Sequence, residues 1–253
     1  MEIEGKVVVV AGGASGLGRA VCELLAERGA RIAVLDRDVQ SAQEVAESLD
    51  EAFAFEVDVA AAGSVQEAID ATLERFGAVH VNVNTAGIPD GVKVVSKGEA
   101  GSLEIFERVI GVNLVGTFNV MRLAIAAMLR NEMQDGERGV VVNTASIAAF
   151  EGQVGQVAYS ASKAGVVGMA LPVARDLAGT GVRVNTIAPG LFDTPMKDGL
   201  PDKVFQGLQK VVLEPPRVGR PQEFAALVAH IVENTYLNAE CIRLDAATRL
   251  SAR

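Results

Sequence analysis

The run Val7-Val8-Val9-Val10 leads directly into Gly12-Gly13-Ala14-Ser15-Gly16-Leu17-Gly18, and a helical pattern follows at once. Few folds begin this way. Gly12, Gly16 and Gly18 let the backbone pass sharply from strand to helix and approach an anion closely, and the helix offers that anion its free N–H groups and positive dipole end. Leu17, Val21, Leu24, Leu25 and Arg28 then keep the three-to-four spacing of a helix with one core face, and Gly29 closes it. Further strand patterns fall at Arg31–Leu35, Phe53–Val57, Val79–Asn84, Val140–Ala145, Val182–Ala188 and Glu240–Leu244, after a first strand at Lys6–Val10. Helical patterns separate them at Val39–Leu49, Val65–Phe76, Leu103–Leu129, Tyr159–Leu177 and Pro221–Val232. The early strands are apolar almost throughout, as in a parallel sheet covered on both faces. This alternation predicts a single α/β domain: a doubly wound parallel sheet of about seven strands with right-handed crossovers. A (β/α)8 barrel needs an eighth strand and no glycine turn after the first. Irregular stretches remain at Ile88–Ser102, Asn131–Gly139 and Gly190–Pro216, the last expected to be a flexible substrate loop over about 190–216.

Charge and composition narrow the function classes. With 23 basic and 32 acidic side chains the net charge is −9, which argues against nucleic-acid binding. Apolar runs such as Ala164–Ala174 fall short of the ~20 residues that span a bilayer, so no membrane association is expected. No secretory signal pattern opens the chain, and two cysteines, Cys22 and Cys241, suit a reducing, cytoplasmic setting.

Asp36 ends the second strand, 18 residues past Gly18. A carboxylate there accepts hydrogen bonds from both hydroxyls of an adenosine ribose and repels a 2′-phosphate, which favours NAD over NADP. Arg37 beside it is the opposing feature, since an arginine can accommodate that phosphate. Asp36 acts at the ribose itself, whereas Arg37 can swing into solvent.

Tyr159 and Lys163 stand four apart on one face at the start of a helix, and Ser146 lies 13 residues upstream at the end of the fifth strand. Carboxyl ends of parallel strands are where doubly wound sheets bind ligands. Lowering a phenol from about 10 to near neutrality takes ~4 kcal/mol. An ammonium ~4 Å away at an effective dielectric of ~20 supplies about that amount. An oxidised nicotinamide ring would add further positive charge, so Tyr159 is expected as general acid and base, its phenol lowered by Lys163.

On these residues the chain resembles the short-chain dehydrogenase/reductases along essentially its full length. The resemblance covers Gly12-x-x-x-Gly16-x-Gly18, Asp58-Val59 after the third strand, Asn84-Thr85-Ala86-Gly87 after the fourth, and Pro189-Gly190 after the sixth. Asn113, Ser146, Tyr159 and Lys163 match the family's catalytic tetrad. The resemblance implies a Rossmann-type fold. It implies a cofactor held by the glycine turn with Ser15 and Leu17, by Asp36, Asp58, Val59 and residues 84–87, by Tyr159 and Lys163, and by Pro189, Phe192 and Thr194, the last on the carboxamide. Tyr159 would move the substrate proton, Ser146 would hydrogen-bond the substrate oxygen, Lys163 would hold the nicotinamide ribose, and Asn113 would position a relay water. Within the family, the wording of 143–156 and 237–245 looks like the type 2 3-hydroxyacyl-CoA dehydrogenases, also described as 17β-hydroxysteroid dehydrogenases of type 10. That group uses NAD and forms homotetramers, and the stretches at Lys93–Ser102 and Asn131–Gly139 fall at its insertions. Gln153 and Gln156 would then line the substrate side.

The implied reaction interconverts a secondary alcohol and a ketone, with 3-hydroxyacyl-CoA and 3-oxoacyl-CoA the preferred pair. The alternatives are a hydroxysteroid or other secondary-alcohol dehydrogenase, a carrier-protein reductase, which Asp36 disfavours, and a non-catalytic NAD-binding scaffold, which the complete tetrad disfavours. Lys197, Lys203 and Lys210 could meet CoA phosphates, although solvated surface charge is the plainer reading. Several positions depart from the family pattern. Ala11 replaces a Thr, at a cost of about 1 kcal/mol in one hydroxyl contact. Thr85 stands where many members carry Asn, and His80 takes the place of an Asp as a structural substitution. Ala239 and Ala246 replace glycines, in a region that packs subunits together in relatives. His80 and His230 form neither a catalytic dyad nor a zinc set, so no metal is expected.

Overall fold

The computed structural model describes residues 1–196 and 207–252. Seven strands form one sheet in the order β3-β2-β1-β4-β7-β8-β9, and every neighbouring pair runs parallel. They are β1 Val7–Ala11, β2 Arg31–Asp36, β3 Ala52–Glu56, β4 Val81–Asn84, β7 Gly139–Thr144, β8 Val182–Pro189 and β9 Cys241–Leu244. All five side chains of β1 are buried, which is why the sequence could spend five apolar residues in a row there. The order reverses direction between β1 and β4, and the crevice above that switch point is where such sheets take ligands.

Alternate residues of each strand feed two separate cores. On one face Val8, Val10, Ile32, Val34, Val83 and Val142 pack with Val21 and Leu25 of α1 (Gly16–Glu27), with α2 (Val39–Glu47), and with Phe224 and Val228 of α7 (Pro221–Glu233). On the other, Val9, Ala33, Leu35, Val141 and Val184 meet Val65 and Ile69 of α3 (Ala62–Phe76) and Val120, Met121 and Ala124 of α5 (Thr117–Met128). At ~1.5–3 kcal/mol per large aliphatic side chain removed from water, these two layers fix the position of every strand end.

The structure refines several boundaries. The single helix expected over Leu103–Leu129 is α4 (Leu103–Ile110), then a wide π-helical turn at Gly111–Gly116, then α5. Ile88–Ser102, read as irregular, contains a small antiparallel hairpin of β5 (Val95–Ser96) and β6 (Glu99–Ala100), turned by Lys97 and Gly98 at φ 53° and 85°. Helix α6 begins earlier than expected, at Val157, and runs to Asp176. The stretches Leu103–Met128 and Val157–Asp176 are long and apolar enough to cross a membrane by composition, which the shorter apolar runs read from sequence did not suggest. Here α5 packs on β4 and β7, and α6 on β8. The two insertions lie at opposite ends of the sheet: the hairpin stands at the carboxyl ends of the strands, whereas Asn131–Arg138 lies at their amino ends, beside Lys6 and His80. Lys197 and Lys203 lie outside the described residues, as does part of the 190–216 segment, and Lys210 is exposed.

Candidate active site

The glycine turn sits between the ends of β1 and β2. A Cβ on Gly12, whose φ is +82°, would lie 2.5 Å from the Ala86 nitrogen, and one on Gly18 would lie 2.0 Å from the Gly12 carbonyl oxygen. Neither position admits a side chain. The Thr85 hydroxyl donates to the carbonyls of Ala11 (2.8 Å) and Gly12 (3.1 Å), so it braces the turn from the fourth strand's side. That bond offsets the contact missing at Ala11. Helix α1 starts with no acid in its first turn, and Ser15 at its N-cap makes no side-chain capping bond, which leaves the dipole end and the Ser15 hydroxyl facing the crevice. The Asp36 carboxylate accepts from the backbone N–H groups of Ala14 (3.1 Å) and Asp38 (3.1 Å), and Arg37 is exposed. A cradle closed to any Cβ, an uncapped helix end and a carboxylate fixed 22 positions beyond Ala14 fit a nicotinamide dinucleotide laid across the switch point.

Other residues expected on the cofactor fall around this cradle in different ways. Asp58 is exposed and takes the Ala60 N–H on one oxygen, while Val59 is buried against Gly116. The Asn84 amide is spent within the sheet, donating to Asn82 (2.9 Å) and Asn143 (2.8 Å), so its side chain stays below the cofactor surface. Gly87 closes on the catalytic groups: a Cβ there would lie 3.2 Å from Asn113 Oδ1 and 3.5 Å from Lys163 Nζ. Pro189 ends β8, and Thr194 hangs over Gly16 with its Cβ 3.2 Å from where a side chain would begin. The Phe192 ring packs edge-on against Phe224 (6.4 Å between centroids) and covers Gly219, so only its main chain is left for a cofactor.

All four tetrad residues converge. Ser146 follows β7 and accepts the Ala148 N–H at 3.1 Å, which starts a short 3-10 turn at Ile147–Ala149 and fixes its hydroxyl toward Tyr159. Tyr159 and Lys163 lie on one face of α6. The Lys163 ammonium is buried and donates to the Thr144 carbonyl at 2.9 Å. Asn113 sits in the π-helical turn, where Thr117 Oγ1 donates to its carbonyl (2.7 Å). Its amide clamps both main-chain groups of Ile88, accepting at 2.8 Å and donating at 3.0 Å, and also reaches Ser162 (3.2 Å). Its side chain is therefore a brace, so any relay through Asn113 runs along its main chain. Thr144, Ser162 and Ile88 are supporting groups that no motif marked, because each acts through a backbone atom or a single hydroxyl.

The electrostatics correct the sequence expectation for the phenol. Lys163 Nζ stands 5.8 Å from the Tyr159 ring centre. Burial pushes Tyr159 above its ordinary value, opposed only by the Ser146 hydroxyl, and burial lowers Lys163 to about 8. The chain's own groups thus keep the phenol protonated, poised to give its proton to a developing alkoxide. Extracting that proton in the reverse direction requires positive charge near the ring beyond what Lys163 supplies.

Gln153 and Gln156 belong to the loop joining Ser146 to α6. Gln156 Oε1 accepts the Gln153 N–H (3.0 Å), and Gln153 Nε2 donates to the Ser251 carbonyl (3.0 Å). Both line a groove of about 400 Å³ whose other wall is Val92, Lys93, Val94 and Val95, the chain leading into the hairpin. His80 is structural: its Nδ1 accepts the Val7 N–H at 3.1 Å, and burial, then Lys6 and Arg31, lower it to about 4, so it is neutral. His230 lies on α7, beside Asn234. Among the described residues no three His, Cys, Asp or Glu side chains gather as a metal set.

A short chain dehydrogenase family model matches residues 6–204, which include the glycine turn and all four tetrad positions. The chain belongs to the short-chain dehydrogenase family. It is 52% identical to the 3-hydroxyacyl-CoA dehydrogenase type-2 of Bos taurus, over 98% of this chain and 97% of that protein. Against the Drosophila melanogaster protein of the same name it is 51% identical, over 98% and 99%. The crystal structure of 3-hydroxyacyl-CoA dehydrogenase type-2 from Mycobacterium avium superposes with a TM-score of 0.92 at 36% identity, covering 98% of this chain and 97% of that one. This short-chain dehydrogenase is an oxidoreductase of secondary alcohols and ketones, and its cofactor is a nicotinamide dinucleotide.

Proposed function

We propose that this short-chain dehydrogenase interconverts 3-hydroxyacyl-CoA and 3-oxoacyl-CoA with NAD. Identity near one half with relatives of that name, across almost the whole of both chains, carries the substrate reading. The cofactor reading rests on Asp36, whose carboxylate is held at the ribose end of the cradle by Ala14 and Asp38. When bound, the nicotinamide ring gives or accepts the hydride. In ketone reduction the Ser146 hydroxyl would donate a hydrogen bond to the substrate carbonyl oxygen and Tyr159 would deliver its phenolic proton there, while Lys163, tethered to Thr144, would hold the nicotinamide ribose. The valine-lined groove beside Gln153 and Gln156 takes the acyl chain, with Lys93 at its wall for the anionic end of CoA.

Free Cys22 and Cys241 suit the cytoplasm, and the exposed Val115, Phe118 and Leu171 on the π-helical turn, α5 and α6 suit a homotetramer that covers them. The test is NADH oxidation with acetoacetyl-CoA, run beside a steroid ketone and a simple aryl ketone, with NADPH as control. Turnover of acetoacetyl-CoA with NADH well above the other arms is the expected result. Faster turnover of the steroid ketone moves the reading to a hydroxysteroid dehydrogenase, and no turnover in any arm despite NADH binding removes the enzymatic reading of the substrate.

A further inference from the structure

The loop from Ile147 to Gln156 joins the two residues that handle the substrate oxygen, yet Phe150 and Val154 within it are about half exposed. Its anchors lie elsewhere. Glu151 takes Arg243 Nη1 at 3.0 Å, Arg249 Nε at 3.4 Å and the Leu250 N–H at 3.1 Å. Arg243, whose guanidinium lies 5.3 Å above the Phe150 ring, also donates to Asp245 (2.7 Å) and to the Thr248 carbonyl (3.1 Å). Farther along, Gln153 Nε2 and the Val154 N–H donate to the carbonyls of Ser251 and Ala252 at 3.0 and 3.2 Å. One side of the 245–252 segment is thus fastened to the loop that carries Ser146.

Its other side is fastened to a second wall, the backbone at Gly190 and Leu213–Glu214. The Ala246 carbonyl accepts the N–H groups of Leu213 (3.2 Å) and Glu214 (3.4 Å), and Asp245 backs so closely onto Gly190 that a Cβ there would lie 2.8 Å from it. Gly190 and Glu214 bracket the segment that bears Thr194. Residues 245–252 therefore bridge the loop that carries Ser146 and the backbone at Gly190, Leu213 and Glu214, and Glu151 is where the bridge meets the catalytic side.

We infer that Glu151 is a positioning residue: through Arg243, Arg249 and the 245–252 segment it fixes the spacing between the Ser146 loop and the wall at Gly190 and Leu213–Glu214, and so sets affinity for the acyl substrate. The substrate in this statement rests on the function proposed above, whereas the bridge itself does not. Arg243 holds the Glu151 carboxyl below its usual range, so the junction stays ionised at neutral pH. The ion pairs are partly solvated, which makes them sensitive to salt.

Glu151→Gln keeps the shape and removes the charge, and Arg249→Gln is a milder variant at an exposed position. Two readouts are taken: KM for acetoacetyl-CoA and for NADH, and backbone amide exchange over 147–156 and 211–214. The expected result is a rise of about 5–10-fold in KM for acetoacetyl-CoA with NADH KM within twofold, faster exchange on both walls together, and a smaller shift of the same kind in Arg249→Gln. Faster exchange at 147–156 alone, an equal rise in both KM values, or no change in either readout overturns the inference. If the unaltered enzyme ignores acetoacetyl-CoA, the substrate reading fails, and the paired exchange still decides the bridge.

Discussion

Ala239 and Ala246 flank β9, with φ of +63° and +49°. An alanine held there carries about 1–2 kcal/mol of left-handed strain. Replacing it by glycine removes that strain and returns ~0.5–1 kcal/mol as unfolded-state entropy. The net expectation is a stabilisation of about 0.5–1 kcal/mol at each site. The hydrogen bonds that define the two turns use main-chain atoms, Ala239 N–H to the Val184 carbonyl (2.7 Å) and the Ala246 carbonyl to Leu213 and Glu214, so both survive the change. The sites stand at opposite ends of a four-residue strand, ~13 Å apart, far enough for their effects to add. The double variant Ala239→Gly/Ala246→Gly should therefore gain about 1–2 kcal/mol, which for a domain of this size is a rise of ~2–8 °C in Tm. Thermal unfolding followed by circular dichroism, at one protein concentration for all variants, makes the comparison. A Tm that falls in either single variant would refute the reasoning, because it would mean that contacts of the two methyl groups outweigh backbone strain.

The remaining predictions concern the site. Tyr159→Phe should lower turnover at least 10²-fold with NADH binding, followed by fluorescence, almost unchanged; comparable turnover would remove the phenol from the reaction. Lys163 is held near 8 when folded against 10.5 when free, so the unfolded chain binds more protons between those values and stability rises with pH across that window, by at most about 3 kcal/mol from this group. Urea titrations at pH 8 and 10 should show that increment in the parent and not in Lys163→Met. Asp36→Asn should narrow the preference for NADH over NADPH by roughly 10-fold or more through loss of ribose hydrogen bonds and of repulsion, measured as the ratio of the two kcat/KM values. Gly18→Ala should abolish dinucleotide binding, since its methyl collides with the Gly12 carbonyl; retained binding in a calorimetric titration would contradict the turn geometry.

Much of this was legible in the chain because the decisive features are periodic or adjacent. The apolar strands announced a sheet buried on both faces, and the glycine turn and the Tyr159–Lys163 spacing each lie within a few residues. Four other features were not legible. The hairpin at 95–100 is two residues per strand and exposed, and Lys97-Gly98 is not among the strong turn dipeptides. The π-helical turn at Asn113 depends on the Thr117 hydroxyl and on Ile88, 25 positions away, and leaves the hydrophobic period of the helix nearly intact. The upward shift of Tyr159 comes from burial, which acts on every buried phenol and which neighbouring charge in the sequence does not reveal. Glu151 and Arg243 are 92 residues apart, and their pairing has no local trace.

The excursion at 131–138 and the mouth that receives the dinucleotide occupy opposite ends of the same strands, separated by the length of β7, ~20 Å. Anything joined to the exposed Met133 or Asp135, such as a fluorophore, a surface linker or a second protein, would hang from the underside of the sheet and leave the entrance clear. The enzyme thus carries a natural handle by which it can be tethered without touching its chemistry.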